Sequence, residues 1–276
     1  GIASQAPAFL LPGISAYIGA DIVASLLAAD AHRSQPPFLL VDLGTNAETV
    51  LCANGMFYAC SAAAGPCFEG ATLSCGMAGQ DGAIDTVSPD PERGLSFTTI
   101  GDAPARGLCG SGVLDALALL LDAGLVDETG RLEADASPLG ARITDDALAF
   151  TDSVRFTQKD IREVQLAKAA VRAGIDILLR EAGMETADVA LYLAGGFGSA
   201  MRPESAARIG LIPEELSDRA TVLGNAAGSG ALRYATEEGA AESALGIIRR
   251  TRYIELSAHA GFTDAYVERM LFPERE

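Results

Sequence analysis

The sequence predicts an α/β fold built on one mixed sheet, and three observations carry the prediction. Three β-type segments follow one another through tight turns, amphipathic helices then alternate with short apolar strands, and four glycine clusters, at 42–46, 65–70, 107–112 and 195–198, fall where strands end.

The elements follow in order. A helical pattern runs from Ile14 to Ala29, ahead of two buried strands, "PPFLLVDL" and "AETVLCA". Asn54-Gly55 then turns the chain, and an Asn-Gly pair between apolar runs predicts a hairpin that returns "MFYACSA" as a third, antiparallel strand. "GAIDTVS" and "LSFTTIG" read as strands, and "CGSGVLDALALLLDAGLVD" as a helix opened by glycines and closed at Gly124. Residues 127–153 are polar and punctuated, as expected of a surface excursion. The long amphipathic segment "TQKDIREVQLAKAAVRAGIDILLREAG" has Thr157 placed as N-cap and Gly183 as its stop. Strand "VALYLAGGFG", a helix over 203–209, strand "TVLGN", helices within 226–249, strand "RYIEL" and a closing helix complete the chain. The organisation is an N-terminal helical segment, 1–36, followed by one lobe over 37–276.

Composition removes several function classes. With 276 residues, 49% of them hydrophobic, the chain can bury a large core. Thirty-seven acidic against 20 basic residues leave a net charge of −17, which disfavours a phosphate-backbone interface, so no nucleic-acid partner is expected. No apolar stretch reaches the roughly 18 residues of a membrane span, and no basic start marks a signal peptide, so the expected location is cytoplasmic. The five cysteines, at 52, 60, 67, 75 and 109, are odd in number and lack C-x-x-C spacing, as small buried thiols do. His32 and His259 stand far apart, without the context of metal ligands.

Ligands of open α/β sheets sit at strand ends, where the glycine clusters fall. Backbone N–H groups bared by glycine can approach phosphate, the hydroxyls of Thr45 and Ser111 can donate to its oxygens, and Asp42 can hold magnesium through water. Each cluster alone is equally explained as a turn. There is no G-x-x-x-x-G-K-[ST] and no G-x-G-x-x-G, so neither a P-loop nor a Rossmann site is expected. "GLCGSG" does not place glycines around Cys109 or Ser111 as a nucleophile elbow requires.

The turn "VDLGTNAE" between two strands resembles the second phosphate loop of the acetate and sugar kinase, Hsp70 and actin superfamily, and "LAGGFG" after a strand resembles its adenosine motif. More narrowly, "LPGISAYIGADIVASLL", "AAAGPCFEGA", "RGLCGSGVLDALALLLDAGLVD", "FTQKDIREVQLAKAAVRAGIDIL" and "LAGGFG" resemble the C-terminal region of the reductive activators of corrinoid proteins, over nearly the whole chain. The resemblance implies a ribonuclease-H-like, actin-like ATPase lobe that binds ATP and magnesium. The site residues it implies are Asp42, Gly44, Thr45, Asn46 and Glu48 of the opening turn, Gly65, Gly110, Ser111 and Gly112 of the middle clusters, and Gly195, Gly196, Phe197 and Gly198 of the last. Gln165 and Lys168 repeat a polar-x-x-Lys helix spacing that reaches ribose and adenine in Hsp70-like relatives; solvated positions on an amphipathic helix explain the same pair.

The activators, as a family, carry an N-terminal [2Fe-2S] domain and use ATP to help return a Co(II) corrinoid to Co(I). A corrinoid-binding protein or corrinoid methyltransferase is thus the implied partner, with a homodimer left open. Only one D-x-G-T-type loop, at Asp42, is present where two lobes bring one each, and the chain starts at Gly1. The first lobe and the iron–sulfur domain are therefore expected outside this sequence, and the chain by itself is expected to be inactive. Two other readings stand beside this one: a small-molecule kinase of the same superfamily, and a nucleotide-independent docking or dimerisation module.

Overall fold

A computed structural model describes residues 9–33 and 36–274 of the chain. Its main sheet has six strands, in the spatial order Ala220–Gly224, Ala190–Ala194, Phe38–Leu43, Ala47–Ala53, Met56–Ala62 and Thr251–Tyr253. β1 (Phe38–Leu43), β2 (Ala47–Ala53) and β3 (Met56–Ala62) form the expected antiparallel meander. Asn54 and Gly55 both hold left-handed backbone, φ 53° and 76°, the conformation whose twist matches the two flanking strands. β10 (Ala190–Ala194) adds parallel to β1, β11 (Ala220–Gly224) parallel to β10, and the short β12 (Thr251–Tyr253) parallel to β3.

Alternation along β1 divides the core in two. Leu39, Val41 and Leu43 point to a face covered by α3 (Gln158–Ala182), while Phe38 and Leu40 point to the face covered by α1 (Ala20–Ala28), α6 (Ala226–Thr236) and α7 (Ala240–Arg249). α3 starts with a capping box, in which Thr157 and Asp160 satisfy each other's backbone N–H groups, and stops at Gly183 in the left-handed region, φ 63°. Ile14–Ala29 is not one helix. The helix begins only at Ala20, because Gly19 holds an extended backbone, and the preceding bend closes through Ile14 N–H to Ile18 O at 3.0 Å.

α1 and α6 cross with almost no space between their backbones: a Cβ on Gly230 would stand 1.8 Å from Ala24 O. Beside the crossing, Arg233 donates to Leu27 O at 2.7 Å, at the C-terminal end of α1, and to the Asp30 carboxylate at 2.8 Å. In an isolated helix Gly230→Ala would gain about 1 kcal/mol of propensity. Here the helices must part, at a cost of about 1–3 kcal/mol or more. Because the atom met is backbone, the upper part of that range applies and we expect a net loss of about 1–2 kcal/mol in a urea melt; unchanged stability would contradict the close crossing.

Between β3 and α3 the chain inserts a second unit. β4 (Ala83–Asp90), β5 (Gly94–Thr99) and β6 (Gly107–Leu108) form a small sheet in the order β5-β4-β6, on which α2 (Gly110–Asp122) packs. The segment 127–153, expected as a surface excursion, is instead tied into the core. It carries β7 (Ile143–Thr144) and β8 (Ala147–Ala149), which pair on to β9 (Arg155–Thr157), and buries Leu139, Leu148 and Phe150 in the main cluster. Its few apolar residues are widely spaced in sequence and meet the core only through tertiary packing. After β10 come α4 (Gly195–Gly198) and α5 (Pro203–Arg208), and α8 (Phe262–Glu268) closes the described chain against α3.

Candidate nucleotide site

The two quoted turns meet at adjoining strand ends. β1 and β10 run parallel and end side by side, with Asp42 opposite Ala194. The next residue, Gly195, turns the chain at φ 82°, and a Cβ there would stand 2.3 Å from Asp42 Oδ1. Glycine is required both for that backbone and for that approach. Within the first turn, Gly44 N–H donates to Asn46 O at 3.0 Å, and the Thr45 hydroxyl donates to the Glu69 carboxylate. Gly65, also left-handed at φ 75°, leads into the short 3-10 turn Pro66–Glu69 that presents Glu69.

The electrostatics are one-sided. Asp42 and Glu48 face each other across β1 and β2, and burial pushes both carboxyls above their ordinary range, with the negative charge of Asp21 adding to the shift. Asp21 lies in the first turn of α1. Among the described residues no Lys or Arg pairs with Asp21, Asp42, Glu48 or Glu69. A phosphate 4 Å from such a carboxylate is repelled by about 4 kcal/mol at an effective dielectric constant near 20. This edge therefore suits a hydrated divalent cation, which needs one or two carboxylates and takes the rest of its shell from water and phosphate. No three His, Cys, Asp or Glu side chains among the described residues form a complete metal cage.

Beside these strand ends opens a cavity of about 760 Å³, lined among others by Phe68, Glu69, Ser111, Gly196 and Phe197. Phe68 and Phe197 stack with centroids 5.1 Å apart and planes at 8°. A Cβ on Gly196 would meet nothing within 4 Å, so that glycine leaves space open rather than filling a contact; Gly198 packs on Leu193.

In the middle cluster Gly110 and Ser111 line the cavity, and the cluster is also engaged in packing. A Cβ on Gly110 would strike Phe68 O and the Phe197 ring, and one on Gly112 would stand 2.2 Å from Ile84 O. These glycines let α2 seat against its neighbours. Ser111, expected to donate to phosphate, gives its hydroxyl proton to Asp85 O at 2.8 Å.

Gln165 and Lys168 do not line the cavity. They lie 3% and 1% exposed on the flank of α3, under the C-terminal segment. Gln165 donates to Met270 O at 2.9 Å and Thr129 O at 3.1 Å, while the Lys168 ammonium donates to Leu271 O and stands 4.8 Å from the centre of the Phe272 ring. This placement favours neither solvated positions nor ribose contacts: the pair ties the end of the chain to the lobe. Burial holds the Lys168 ammonium down to about 7, helped by the charges of Arg172 and Arg269, and no carboxylate among the described residues pairs with it. Between pH 7 and the ordinary lysine range the unfolded chain then binds the extra proton, so this group makes stability rise with pH through that window. Lys168→Met should raise stability at pH 6 and flatten that rise in urea melts at pH 6, 8 and 10; an unaltered slope would contradict the buried, unpaired ammonium.

Asp21, Phe68, Glu69 and Asp85 were not singled out in sequence. An acid in the first turn of a helix normally reads as dipole compensation, and only the fold brings Asp21 near Asp42. Glu69 offered a usable signal, an acid within a glycine cluster directly after a left-handed Gly-Pro turn.

Residues 37–276 match the family described as the C-terminal domain of RACo, the ASKHA domain. The chain belongs to this family. The ASKHA assignment agrees with the fold, an actin-like mixed sheet with flanking helices. A corrinoid activation enzyme, RamQ, of Eubacterium limosum is 33% identical over 280 residues, covering 95% of this chain and 47% of that protein. The [Co(II) methylated amine-specific corrinoid protein] reductase of Methanosarcina barkeri is 32% identical over 225 residues, covering 73% of this chain and 39% of its own. A solved structure of a reductive activator for corrinoid, iron-sulfur protein superposes with a TM-score of 0.85 at 31% identity, covering 97% of this chain and 45% of that one. This ASKHA domain thus spans less than half the length of each of these relatives.

Proposed function

We propose that this chain is the ATP-binding lobe of an ATP-dependent reductive activator, one that helps return a Co(II) corrinoid protein to Co(I). The observation that carries the reading is the junction of Asp42 with Gly195 beside an open cavity, in a chain of the ASKHA family whose relatives are named for corrinoid activation. Asp42 would hold magnesium through water, and the cation, when bound, supplies the positive charge that draws phosphates to an acidic edge. Gly44, Thr45 and Asn46 shape the turn against which the phosphates rest, and Glu69 fixes Thr45. Gly196 leaves room for the nucleoside, and Phe68 and Phe197 give it apolar walls that exclude water.

The five cysteines are not arranged to hold an iron–sulfur centre: four are buried, and burial pushes Cys67 and Cys75 up to about 12. The reading assigns any [2Fe-2S] cluster to another part of the activator. It also makes the protein cytoplasmic; no described helix is long and apolar enough to cross a membrane.

Reduction of Co(II) is uphill, so ATP can assist only if its binding differs between two states of the complex. The partner is a corrinoid-binding protein, and nucleotide and partner affinities are coupled by the same factor in both directions. Calorimetry on the full-length activator, with the Co(II) corrinoid protein titrated in with and without a non-hydrolysable ATP analogue, tests this. A several-fold difference in partner affinity is expected, and equal affinities would sink the coupling.

A further inference from the structure

The cavity wall opposite the phosphate turn is shaped by a defect in the small sheet. β4 and β5 pair regularly from Thr86–Thr98 outward, but the register slips between Ile84 and Thr86, leaving Asp85 as the extra residue of a β-bulge. In a regular strand successive side chains point to opposite faces. Here Asp85 and Thr86, consecutive in sequence, both line the cavity, as a bulge that re-aims a side chain allows.

The bulge is fastened from the start of α2. Cys109 N–H donates to Ile84 O at 3.1 Å, the Ser111 hydroxyl donates to Asp85 O at 2.8 Å, and Gly112 approaches so closely that any Cβ would stand 2.2 Å from Ile84 O. Thus "CGSG" holds a carboxylate in the wall of an otherwise mostly apolar pocket, beside Met77, Ile100 and Phe197.

What that carboxylate can recognise follows from its free atoms. Thr98 donates its hydroxyl to Asp85 Oδ1 at 2.7 Å, which fixes the group, and Oδ2 has no protein partner among the described residues. An ionised carboxylate only accepts, and the protons of the Ser111 and Thr98 hydroxyls are already committed. This wall therefore favours a base that brings a donor.

We propose that Asp85 selects the base of the nucleotide by accepting a hydrogen bond from the 6-amino group of adenine. The inference rests on the ATP-binding reading above and names the specificity-determining residue of that site. Guanine fits less well, because its paired N1–H and N2–H donors call for both carboxylate oxygens, and Oδ1 is turned to Thr98. Inosine triphosphate has a carbonyl oxygen in place of the amino group and keeps a single donor, N1–H, one ring position away, so in the adenine pose Oδ2 faces an acceptor, an arrangement that costs more than the missing bond alone.

The test compares the affinities of ATP, ITP and GTP, each with magnesium, for the parent chain and for Asp85→Asn and Asp85→Ala. The parent should prefer ATP to ITP and to GTP by tenfold or more. Asp85→Asn should bring the ATP-to-ITP ratio to within about threefold, because its amide can donate to the inosine oxygen, and Asp85→Ala should erase the preference by weakening ATP. A ratio measured within one variant is insensitive to its folded fraction, so partial unfolding does not mimic the result. An unchanged ATP-to-ITP ratio in both variants, or GTP bound more tightly than ATP by the parent, overturns the assignment of Asp85 while leaving nucleotide binding intact. If the parent binds none of the three, the nucleotide reading and this inference fall together.

Discussion

Gly196→Val is expected to leave the protein folded and to abolish its stabilisation by nucleotide. Among the described residues no neighbouring atom stands within 4 Å of a Cβ at Gly196, which leaves room for a branched side chain, and the residue does not need left-handed backbone. Valine would instead project into the cavity beside Phe68 and Phe197, where the nucleoside should lie. A ligand at a hundred times its Kd stabilises a protein by about 2.7 kcal/mol, a thermal shift of roughly 5–10 °C for a chain of this size. That shift should disappear in the variant while its melting point without ligand stays within a degree or two of the parent. Equal shifts in a variant of parental stability would place the nucleotide elsewhere. The same substitution at Gly195 could not make the distinction, because its left-handed backbone and its contact with Asp42 would damage the fold as well.

The second large effect belongs to Asp42, where stability and binding should move in opposite directions. Burial and the charge of Asp21 hold its carboxyl above the ordinary range, so in the free protein the ionised form is a burden. That burden is absent in acid, grows as pH rises from the ordinary carboxylate value to the raised one, and is constant above it. Asp42→Asn removes it, so the free variant should be as stable as the parent or slightly more so at pH 7, and should lose that part of the pH dependence. Magnesium-dependent nucleotide binding should nevertheless weaken tenfold or more, because the neutral amide cannot order the cation's water shell. Parental affinity with parental magnesium dependence would remove Asp42 from the site. Loss of both stability and binding would make its role structural.

Local chemistry accounts for what the sequence made legible. Asn54-Gly55 can adopt few other turns between two apolar runs, and the Thr157 capping box and Gly183 fix the ends of α3 by bonds made within a few residues. The ends of β1 and β10 were readable as glycine turns, and resemblance joined them; their contact depends on a parallel pairing that spans the whole insertion. Illegible features depend on partners distant in the chain. Gly112 looks like a phosphate glycine until Ile84 O is found against it, and Lys168 looks like a ligand residue until Leu271, 103 positions away, is found accepting its proton. Spacing along α3 correctly put Gln165 and Lys168 on one face, but it carried no information about what that face would meet.

The acidic edge makes the central claim open to one direct measurement. If Asp21, Asp42, Glu48 and Glu69 surround the phosphate position with no basic side chain among the described residues to offset them, nucleotide can bind only with a divalent cation. Calorimetric titration of ATP into this chain, once with excess magnesium and once with EDTA, reads that dependence. The predicted result is saturable one-to-one binding with magnesium and at least a tenfold weaker interaction in EDTA. Binding of equal strength in the two titrations, or no binding with magnesium present, would contradict the assignment of the β1 and β10 strand ends as a magnesium–nucleotide site.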